Sequence, residues 1–413
     1  MPAYKNREVF CREVRMDFLK RAKEIEDEII HNRRELHKIP ELELNLPKTV
    51  QYVCAQLHEM DIKHRLLVNG NAIVAEVGGK NSGKCIAIRA DMDALPILEE
   101  TGLPFASTHS GKMHACGHDG HTAMALGAAK LLKEKENELK GYVKFFFQPG
   151  EEIPGGAKPM IDEGCMENPK VDAVVGLHEG AVFGNFPTGT IAYKKGAMMA
   201  SMDRFKITVK GRGGHGARPT DFIDPIATIS EINMGIQKII SREIDPTTAA
   251  LISVCQIHGG TSQNIIPETV WEEGTVRTLD EKTRDFVEKR LTEISQNIAR
   301  AYNAEAEVLY ERFYPVVVND FAFTEFAKNI AIDLFGEEKV LELPVPTMGG
   351  EDIAFFLQKA PGTYFGLNNL KKDKTGVAHP HHSSKFDVEE NTFYLGTALL
   401  AAVAYRFLSE EEV

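Results

Sequence analysis

Three short apolar segments, each followed by side chains that can bind a metal or carry a proton, constrain the fold most strongly. The segments and the groups after them are residues 84–89 with Asp91 and Asp93, residues 142–147 with Glu151 and Glu152, and residues 171–177 with His178. Ligands in open α/β sheets collect outside the carboxyl ends of the strands. The pattern therefore predicts an α/β fold with these groups at one edge of the sheet.

A fourth cluster, residues 113–122, lies between the first two segments and contains Cys116 and His118. On an extended backbone, side chains two residues apart point to the same side. A thiolate and an imidazole suit zinc, cobalt or nickel and tolerate manganese. Alone, this pair is weak evidence for a metal site, and a buried thiol beside a capping histidine is the simpler interpretation. Neighbouring carboxylates without basic partners repel each other, which favours a divalent cation.

The order of predicted elements indicates two domains, as the chain length also suggests. Residues 1–197 and 311–413 alternate strands with helices, which predicts a mostly parallel sheet with helices on both faces. The pattern of residues 198–310 predicts the order βαββαβ, a ferredoxin-like α+β unit. Within it, residues 204–210 alternate polar and apolar, as in a strand with one face exposed to solvent. We therefore expect a discontinuous catalytic domain interrupted by an inserted domain.

Composition excludes several classes of partner. The 413-residue chain is 43% hydrophobic and 26% charged, with a net charge of -12, which argues against nucleic acid or an anionic membrane. No run approaches the roughly 18 apolar residues of a membrane span, and residues 1–20 lack the apolar core of a signal peptide. The six cysteines have no paired spacing, so we expect reduced thiols in a cytoplasmic protein.

The chain resembles a known family, the dinuclear metallopeptidases that include the aminoacylases and glutamate carboxypeptidases. It is most similar to the amidohydrolase branch acting on N-acyl amino acids, such as hippurate hydrolase and auxin-conjugate hydrolases. The matching motifs run in family order from about residue 30 to the C-terminus. They are residues 89–96, 113–122, 148–152, 176–178, 213–215, 264–267, 348–352 and 382–383.

The resemblance implies two divalent metal ions per subunit, Mn²⁺ or Zn²⁺ first, with Co²⁺ or Ni²⁺ as alternatives. The implied ligands are Cys116, His118, Glu152, His178 and His382, with Cys116 bridging the two ions. His381 stays open as an alternative to His382. Asp91 stands where peptidase branches have a ligand histidine, and a direct contact of Asp91 with metal also stays open.

The resemblance also implies the catalytic and substrate-binding groups. Glu151 acts as general base toward metal-activated water and then protonates the leaving amine. Asp93 orients a ligand histidine, and His215 of the inserted domain stabilises the oxyanion. The implied substrate contacts are Asn264, Arg277, which suits a carboxylate, and Glu351. In the family, the inserted domain serves as a lid and as a dimerisation surface.

The sequence thus predicts a metal-dependent amidohydrolase that splits an N-acyl amino acid into a carboxylic acid and a free amino acid, working as a homodimer or dimer of dimers. The alternative is a carboxypeptidase or dipeptidase acting on a small peptide or folate-like substrate. A Cys116/His118 thiol hydrolase is disfavoured because nearby anions raise a thiol's pKa. A non-catalytic binding relative is disfavoured by the intact ligand set. Ser384 and Ile353 depart from the family pattern at the pocket edge.

Overall fold

The computed structural model describes residues 18–79 and 83–409. These divide into two compact units: unit 1 comprises the described residues up to 196, residues 318–345 and residues 352–409, and unit 2 comprises residues 197–317 and 346–351. The predicted boundary at residue 310 is too early. It falls inside a strand that runs to Tyr314. The boundary was misplaced because no turn residue follows residue 309 to indicate where the strand ends.

The strands, numbered along the chain, are β1 Lys63–Leu67, β2 Ala72–Gly78, β3 Cys85–Asp91, β4 Tyr142–Gln148, β5 Ala173–Gly180, β6 Thr190–Tyr193, β7 Gly196–Met199, β8 Met202–Lys210, β9 Gly214–His215, β10 Ala250–His258, β11 Ile265–Ile266, β12 Thr269–Thr278, β13 Glu305–Tyr314, β14 Val317–Asn319, β15 Val340–Glu342 and β16 Gly362–Asn368. The α-helices are α1 Glu26–His37, α2 Pro47–Glu59, α3 His118–Glu134, α4 Ala157–Asp162, α5 Pro225–Lys238, α6 Glu281–Ala301, α7 Phe321–Phe335, α8 Ala354–Leu357 and α9 Phe393–Ser409. The apolar periodicity of residues 15–37 predicts a helix there. Residues 18–24 are helical and precede α1, whereas residues 15–17 lie outside the described part.

Unit 1 is built on a mixed sheet in the order β1-β2-β4-β3-β5-β16-β6-β15. Its centre, β4-β3-β5-β16, is parallel, and antiparallel pairs join β2 to β4 and β6 to β16. Every residue of β3 and β5 is buried, as expected for parallel strands covered on both faces. The predicted mostly parallel α/β fold is confirmed.

Alternate residues of the central strands pack against helices on opposite faces. Phe145 and Phe147 join the core cluster that contains the apolar sides of α1, α3 and α9. Phe146 points the other way and packs on Phe356 of α8, with ring centroids 5.2 Å apart. This two-sided burial places the polar groups of the sheet at the carboxyl ends of its strands.

Unit 2 is an antiparallel sheet in the order β10-β12-β8-β13 with α5 and α6 on one face. Phe205, Ile207 and Val209 of β8 pack with both helices, while alternate residues of β8 are partly or fully exposed. The predicted βαββαβ order and the solvent-exposed face of β8 are therefore confirmed. Asp224 and Asp280 cap the two helices by accepting backbone N–H bonds.

One helical stretch among the described residues, Glu390–Ser409, meets the length and composition of a membrane span, with mean hydropathy 1.2. The expectation that no run approaches this limit was therefore too strict. However, 83% of the most apolar 18-residue segment of this stretch is buried inside the protein, where α9 packs against α3. Such burial is typical of a core helix.

Candidate metal centre

The strand order of unit 1 brings the predicted groups to one edge of the sheet. β3 lies between β4 and β5, so Asp91 at its end is level with Gln148, just before the Glu151–Glu152 pair. His178 and Glu179 lie within β5 rather than after it, because the strand continues to Gly180. The three segments singled out from the sequence are thus adjacent, and their polar residues converge.

A left-handed glycine places Cys116 and His118. Gly117 has φ +91°, and α3 begins at His118. The expectation of an extended backbone here was wrong, because the helix already begins at His118 and Gly117 forms the turn into it. The turn still directs both side chains into the same site.

Cys116 belongs to two groups of potential ligands. Its sulfur groups with Glu152 and His382 on one side, and with His178 and His381 on the other, with the ligand atoms of each group within 4.8 Å of one another. The Cys116 Sγ lies 3.5 Å from Nε2 of His178, whose Nδ1 donates to the Glu179 carbonyl at 2.7 Å. A ligand histidine is normally oriented by such a second bond. One thiol shared by two groups is the geometry that a bridging ligand requires.

His118 lies among carboxylates. Its Nδ1 is 3.4 Å from Asp93, and its Nε2 is 3.9 Å from Glu151 and 3.8 Å from Asp91. The Asp93 carboxylate also accepts from the backbone N–H groups of Glu151 and Glu152, at 2.8 and 3.0 Å. Asp93 therefore holds the Glu151–Glu152 turn next to His118.

Asp91 is occupied by other partners. One oxygen accepts from Arg89 at 2.7 Å and the other lies 2.6 Å from Nδ1 of His121. His121 in turn accepts the Glu179 N–H through Nε2 at 2.9 Å, so both of its ring nitrogens are used. Asp91 and His121 are thus hydrogen-bonded to each other, and with His118 they form a further group whose possible ligand atoms lie within 4.8 Å of one another. A direct contact of Asp91 with metal therefore stays open.

Several buried polar atoms of the site fit a cation. Within the described residues, the two ring nitrogens of His118 and Oε1 of Glu152 are buried and make no well-aligned hydrogen bond. Their nearest groups are Asp93, 3.4 Å from Nδ1 of His118, and His382, whose Nε2 lies 3.1 Å from Oε1 of Glu152. Buried polar atoms are normally satisfied. A thiol, imidazoles and carboxylates within 4.8 Å of one another form a donor set for zinc, manganese, cobalt or nickel. The residues present therefore fit divalent metal.

The pKa shifts differ across the site. Burial lowers the pKa of His118, but Asp91, Asp93 and Glu152 overcome this and raise it to about 10. Burial, then Glu152, Glu151 and Asp91, hold the pKa of the Cys116 thiol well above its usual range. Such a thiol is a poor nucleophile without a cation beside it, which argues against a thiol hydrolase.

His381 and His382 differ in what their rings can offer. His381 Nε2 accepts the Ala181 N–H at 3.1 Å, and burial, aided by His382, lowers the pKa of His381 to about 3. A neutral ring that accepts at Nε2 carries its proton on Nδ1, the atom that lies 3.6 Å from Cys116. His382 Nε2 lies 3.1 Å from Glu152 Oε1. The contacts favour His382 as the ligand.

Two supporting residues were not assigned a role from the sequence. Asp352 accepts from Arg89 and Gln148 at 2.8 Å and from the N–H groups that open α4. The Glu179 side chain packs against two glycines of residues 113–122: a Cβ on Gly117 or Gly120 would lie 2.7 or 2.1 Å from its Oε1. These glycines were the sequence signal that another side chain packs closely against this segment.

The residues predicted in unit 2 form two sets. His215 on β9 pairs with Ile265 on β11, and the Asn264 carbonyl accepts the Gly216 N–H at 2.9 Å, so the exposed His215 and Asn264 are brought together. Arg277 lies on β12. Its Nη1 is buried without a hydrogen-bond partner among the described residues, and a Cβ on Gly350 would lie 3.1 Å from it. The buried Glu351 follows that glycine.

Comparison with known proteins identifies the class. The model of peptidase family M20/M25/M40 matches residues 87–406. Thermostable carboxypeptidase 1 of Saccharolobus solfataricus is 41% identical over 400 residues, 95% of this chain and 99% of that protein. N-acetyl-L-cysteine deacetylase of Bacillus subtilis is 38% identical over 390 residues, 94% and 90% of the two chains.

A solved structure agrees with the sequence comparison. The Bacillus subtilis YXEP protein, described as a dinuclear metal-binding peptidase of the M20 family, is 35% identical with a TM-score of 0.81, covering 94% of this chain and 99% of that one. The chain described here belongs to the M20/M25/M40 peptidase family. It is a hydrolase that acts on amide bonds.

Proposed function

We propose that this protein hydrolyses the amide bond of N-acyl amino acids. The observation that carries the proposal is the position of Cys116 between two groups of ligands, with the Glu151–Glu152 turn beside it. A relative at 38% identity is named for deacetylation of N-acetyl-L-cysteine, which is such a reaction.

The proposal assigns two divalent ions to unit 1. Cys116, Glu152 and His382 would hold one ion, since their ligand atoms lie within 4.8 Å of one another. Cys116 and His178 would bind the other ion, and His118 is the remaining ligand that the family resemblance implies. When bound, such ions polarise the amide carbonyl and lower the pKa of the attacking water. Mn²⁺ or Zn²⁺ suits this mixture of soft and hard donors, and Co²⁺ or Ni²⁺ is compatible with it.

The residues of the chain then have separate tasks. Glu151 takes the proton of the attacking water and delivers it to the leaving amine, a transfer that suits a carboxylate held on a fixed turn. Asp93 holds that turn through the two backbone N–H bonds and orients His118. His215 stabilises the charge that develops on the carbonyl oxygen.

Three residues of unit 2 are assigned to substrate binding. Arg277 presents a buried, unsatisfied Nη1, which a substrate carboxylate would satisfy. Asn264 is held next to His215 and would bind the same part of the substrate. Glu351 follows the two glycines beside Arg277 and would contact the amino-acid portion.

The second candidate is a carboxypeptidase or dipeptidase acting on small peptides or folate-like substrates. The observation in its favour is the 41% identity to thermostable carboxypeptidase 1. The chemistry at the amide bond would be the same, and only the acyl side of the substrate would differ.

Amino-acid release from a panel of substrates tests the proposal. The panel contains N-acetyl, N-benzoyl and longer N-acyl amino acids and dipeptides, with metal-stripped protein and protein reloaded with Mn²⁺, Zn²⁺, Co²⁺ or Ni²⁺. We expect release from N-acyl amino acids only after reloading. Release from dipeptides alone would favour the carboxypeptidase, and no release from protein holding two ions per chain would contradict both candidates.

We also propose that the enzyme works in the cytoplasm as a homodimer or dimer of dimers. The five cysteines in the described residues are all free, which suits a reducing compartment, and Cys11 lies outside the described part. Cell fractionation would test the location. Light scattering after size exclusion would test the assembly, and a monomer at micromolar concentration would contradict it.

A further inference from the structure

Two imidazole rings lie at nearly the same distance from the Cys116 sulfur. Nε2 of His178 is 3.5 Å from Sγ, and Nδ1 of His381 is 3.6 Å from it. The two rings meet at 77°, with centroids 5.2 Å apart. Distance alone therefore does not tell whether each nitrogen presents a lone pair or a proton to the sulfur.

The backbone partner on the far side of each ring decides this. Nδ1 of His178 lies 2.7 Å from the Glu179 carbonyl, which can only accept, so the proton is on Nδ1 and Nε2 keeps a lone pair. Nε2 of His381 lies 3.1 Å from the Ala181 N–H, which can only donate, so the ring proton is on Nδ1. His178 thus presents a lone pair to Cys116, whereas His381 presents an N–H group.

Close packing holds the His381 ring in this orientation. Gly180 has φ +93°, a conformation that favours glycine. A Cβ at that position would lie 2.2 Å from Nε2 of His381, so the glycine leaves the room that the ring needs. The buried Phe386 packs on the same ring, with centroids 4.7 Å apart. The protein itself therefore sets the direction of the Nδ1–H group.

We infer that His381 is a positioning residue that donates its Nδ1–H to the Cys116 thiolate and draws negative charge from that sulfur. This inference rests on the proposed function, because it takes Cys116 as the ligand shared by two ions. A hydrogen bond to an ionised acceptor is charge-assisted, and hydrogen bonds around a ligand sulfur tune the metal that it binds. With less charge on the sulfur, the bound ions polarise the substrate carbonyl more strongly.

Three substitutions separate the roles of the two ring nitrogens. In His381→Asn the amide can take the place of Nδ1 and keep a donor for Cys116, whereas in His381→Gln it reaches the place of Nε2 and keeps only an acceptor for Ala181. His381→Leu keeps neither group. His379→Leu is the matched control, since His379 lies in the same loop and contacts Asp373 instead.

The thiolate-to-metal charge-transfer band of Co²⁺-loaded protein reports the charge on the sulfur. Loss of the N–H donor raises the energy of the sulfur lone pairs. His381→Leu and His381→Gln should therefore shift the band to longer wavelength with two ions still bound, and their kcat/KM should fall about 10–100-fold. His381→Asn and His379→Leu should keep the wild-type band and stay near the wild-type kcat/KM.

A change at Gly180 disturbs the same hydrogen bond without replacing the histidine. The Cβ of Gly180→Ala would push the His381 ring away from its position beside Ala181. The band should therefore shift in the same direction as in His381→Leu. Circular dichroism and melting temperature verify that each variant is folded, and the comparison of His381→Gln with His381→Asn gives the same test if His381→Leu does not fold.

The outcomes distinguish the inference from the proposed function. An unchanged band in His381→Leu or His381→Gln, with two ions bound, would overturn the inference. An equal shift in His381→Asn would also overturn it, as would the loss of one ion from these variants, which would make His381 a ligand. A wild-type protein with two ions and no thiolate band would contradict Cys116 as the shared ligand, and the inference with it. The expected shifts without amino-acid release from any N-acyl substrate would contradict the proposed reaction alone.

Discussion

The two compact units differ in how they hold ionisable groups. In unit 1, Asp91, Asp93, Cys116, His118 and His178 are all buried and gather at one edge of the sheet. In unit 2, His215 and Asn264 lie exposed, whereas the buried pair Asp203 and Arg284 is linked by hydrogen bonds of 2.6 to 3.2 Å.

The difference separates stability from function. A buried charge is tolerated where its partners are complete, which is the case for Asp203 and Arg284 in unit 2. In the cluster of unit 1, the ring nitrogens of His118 and Oε1 of Glu152 are buried without a well-aligned hydrogen bond, which costs stability unless a ligand completes them. Unit 2 also contains buried atoms without a hydrogen-bond partner among the described residues, on Glu272 and Arg277, so such atoms alone do not mark a reaction site. What distinguishes unit 1 is a thiol, imidazoles and carboxylates whose ligand atoms lie within 4.8 Å of one another.

The same contrast exists inside unit 1 between two histidines. Carboxylates raise the pKa of His118 to about 10, whereas burial among other imidazoles lowers that of His381 to about 3. Residue type alone therefore does not tell which histidine lies where a cation is expected.

Removing the proposed base should give the largest effect. Glu151→Gln should lower kcat by about 10³-fold, within the range for general base catalysis, because an amide cannot take the proton. Metal analysis should still find two ions, since Glu151 is not an assigned ligand. Glu59→Gln, on an exposed position of α2, is the control. Wild-type turnover by Glu151→Gln would show that Glu151 is not the general base of the reaction.

Replacing His215 of unit 2 should have the next largest effect on turnover. His215→Ala should lower kcat by about 10²-fold, as expected when one oxyanion-stabilising group is lost, with metal content and melting temperature unchanged. His258→Ala, a second exposed histidine of unit 2, serves as the control. If both variants keep full activity, unit 2 does not contribute His215 to the reaction.

The adjacent histidines should differ in metal content. His382→Ala should reduce the bound metal from two ions to about one, whereas His381→Ala should keep two, because the His381 ring accepts the Ala181 N–H. Elemental analysis after dialysis measures the ratio. The opposite pattern would show that the ring orientation of His381 changes when metal binds.

A lone buried carboxyl in unit 2 should give the smallest effect. Burial raises the pKa of Glu272 to about 7. A raised carboxyl pKa means that the folded state binds the proton more tightly, so stability is highest at acid pH and falls as pH rises through about 7. Glu272→Gln should remove this loss, a gain of about 1–3 kcal/mol above pH 7 and none below pH 4.5. Chemical denaturation at pH 5 and pH 8.5 measures it, and an equal change at both would contradict the cause.

Much of the fold was predictable because its elements have strong local patterns. The continuous apolar runs of β3 and β4 and the alternation of polar and apolar residues in β8 predicted whether these strands are buried on two faces or on one. The sequence pattern of residues 281–301 also predicts a helix, and α6 has these bounds. The short strands β1, β6 and β15 were missed, because they hold too few residues to show a period. The end of unit 2 was misplaced for a related reason, since β13 runs on without a turn residue.

By itself, the sequence determined which residues could form the site, because the order of motifs fixes the family and the strand ends place their carboxylates and imidazoles together. Only the tertiary structure decided which atoms remain free. Asp91 and His121 pair with each other, His381 accepts an N–H bond from Ala181, and Gly366 leaves room for Phe183. These outcomes depend on contacts between residues far apart in the chain, and no local pattern records such contacts.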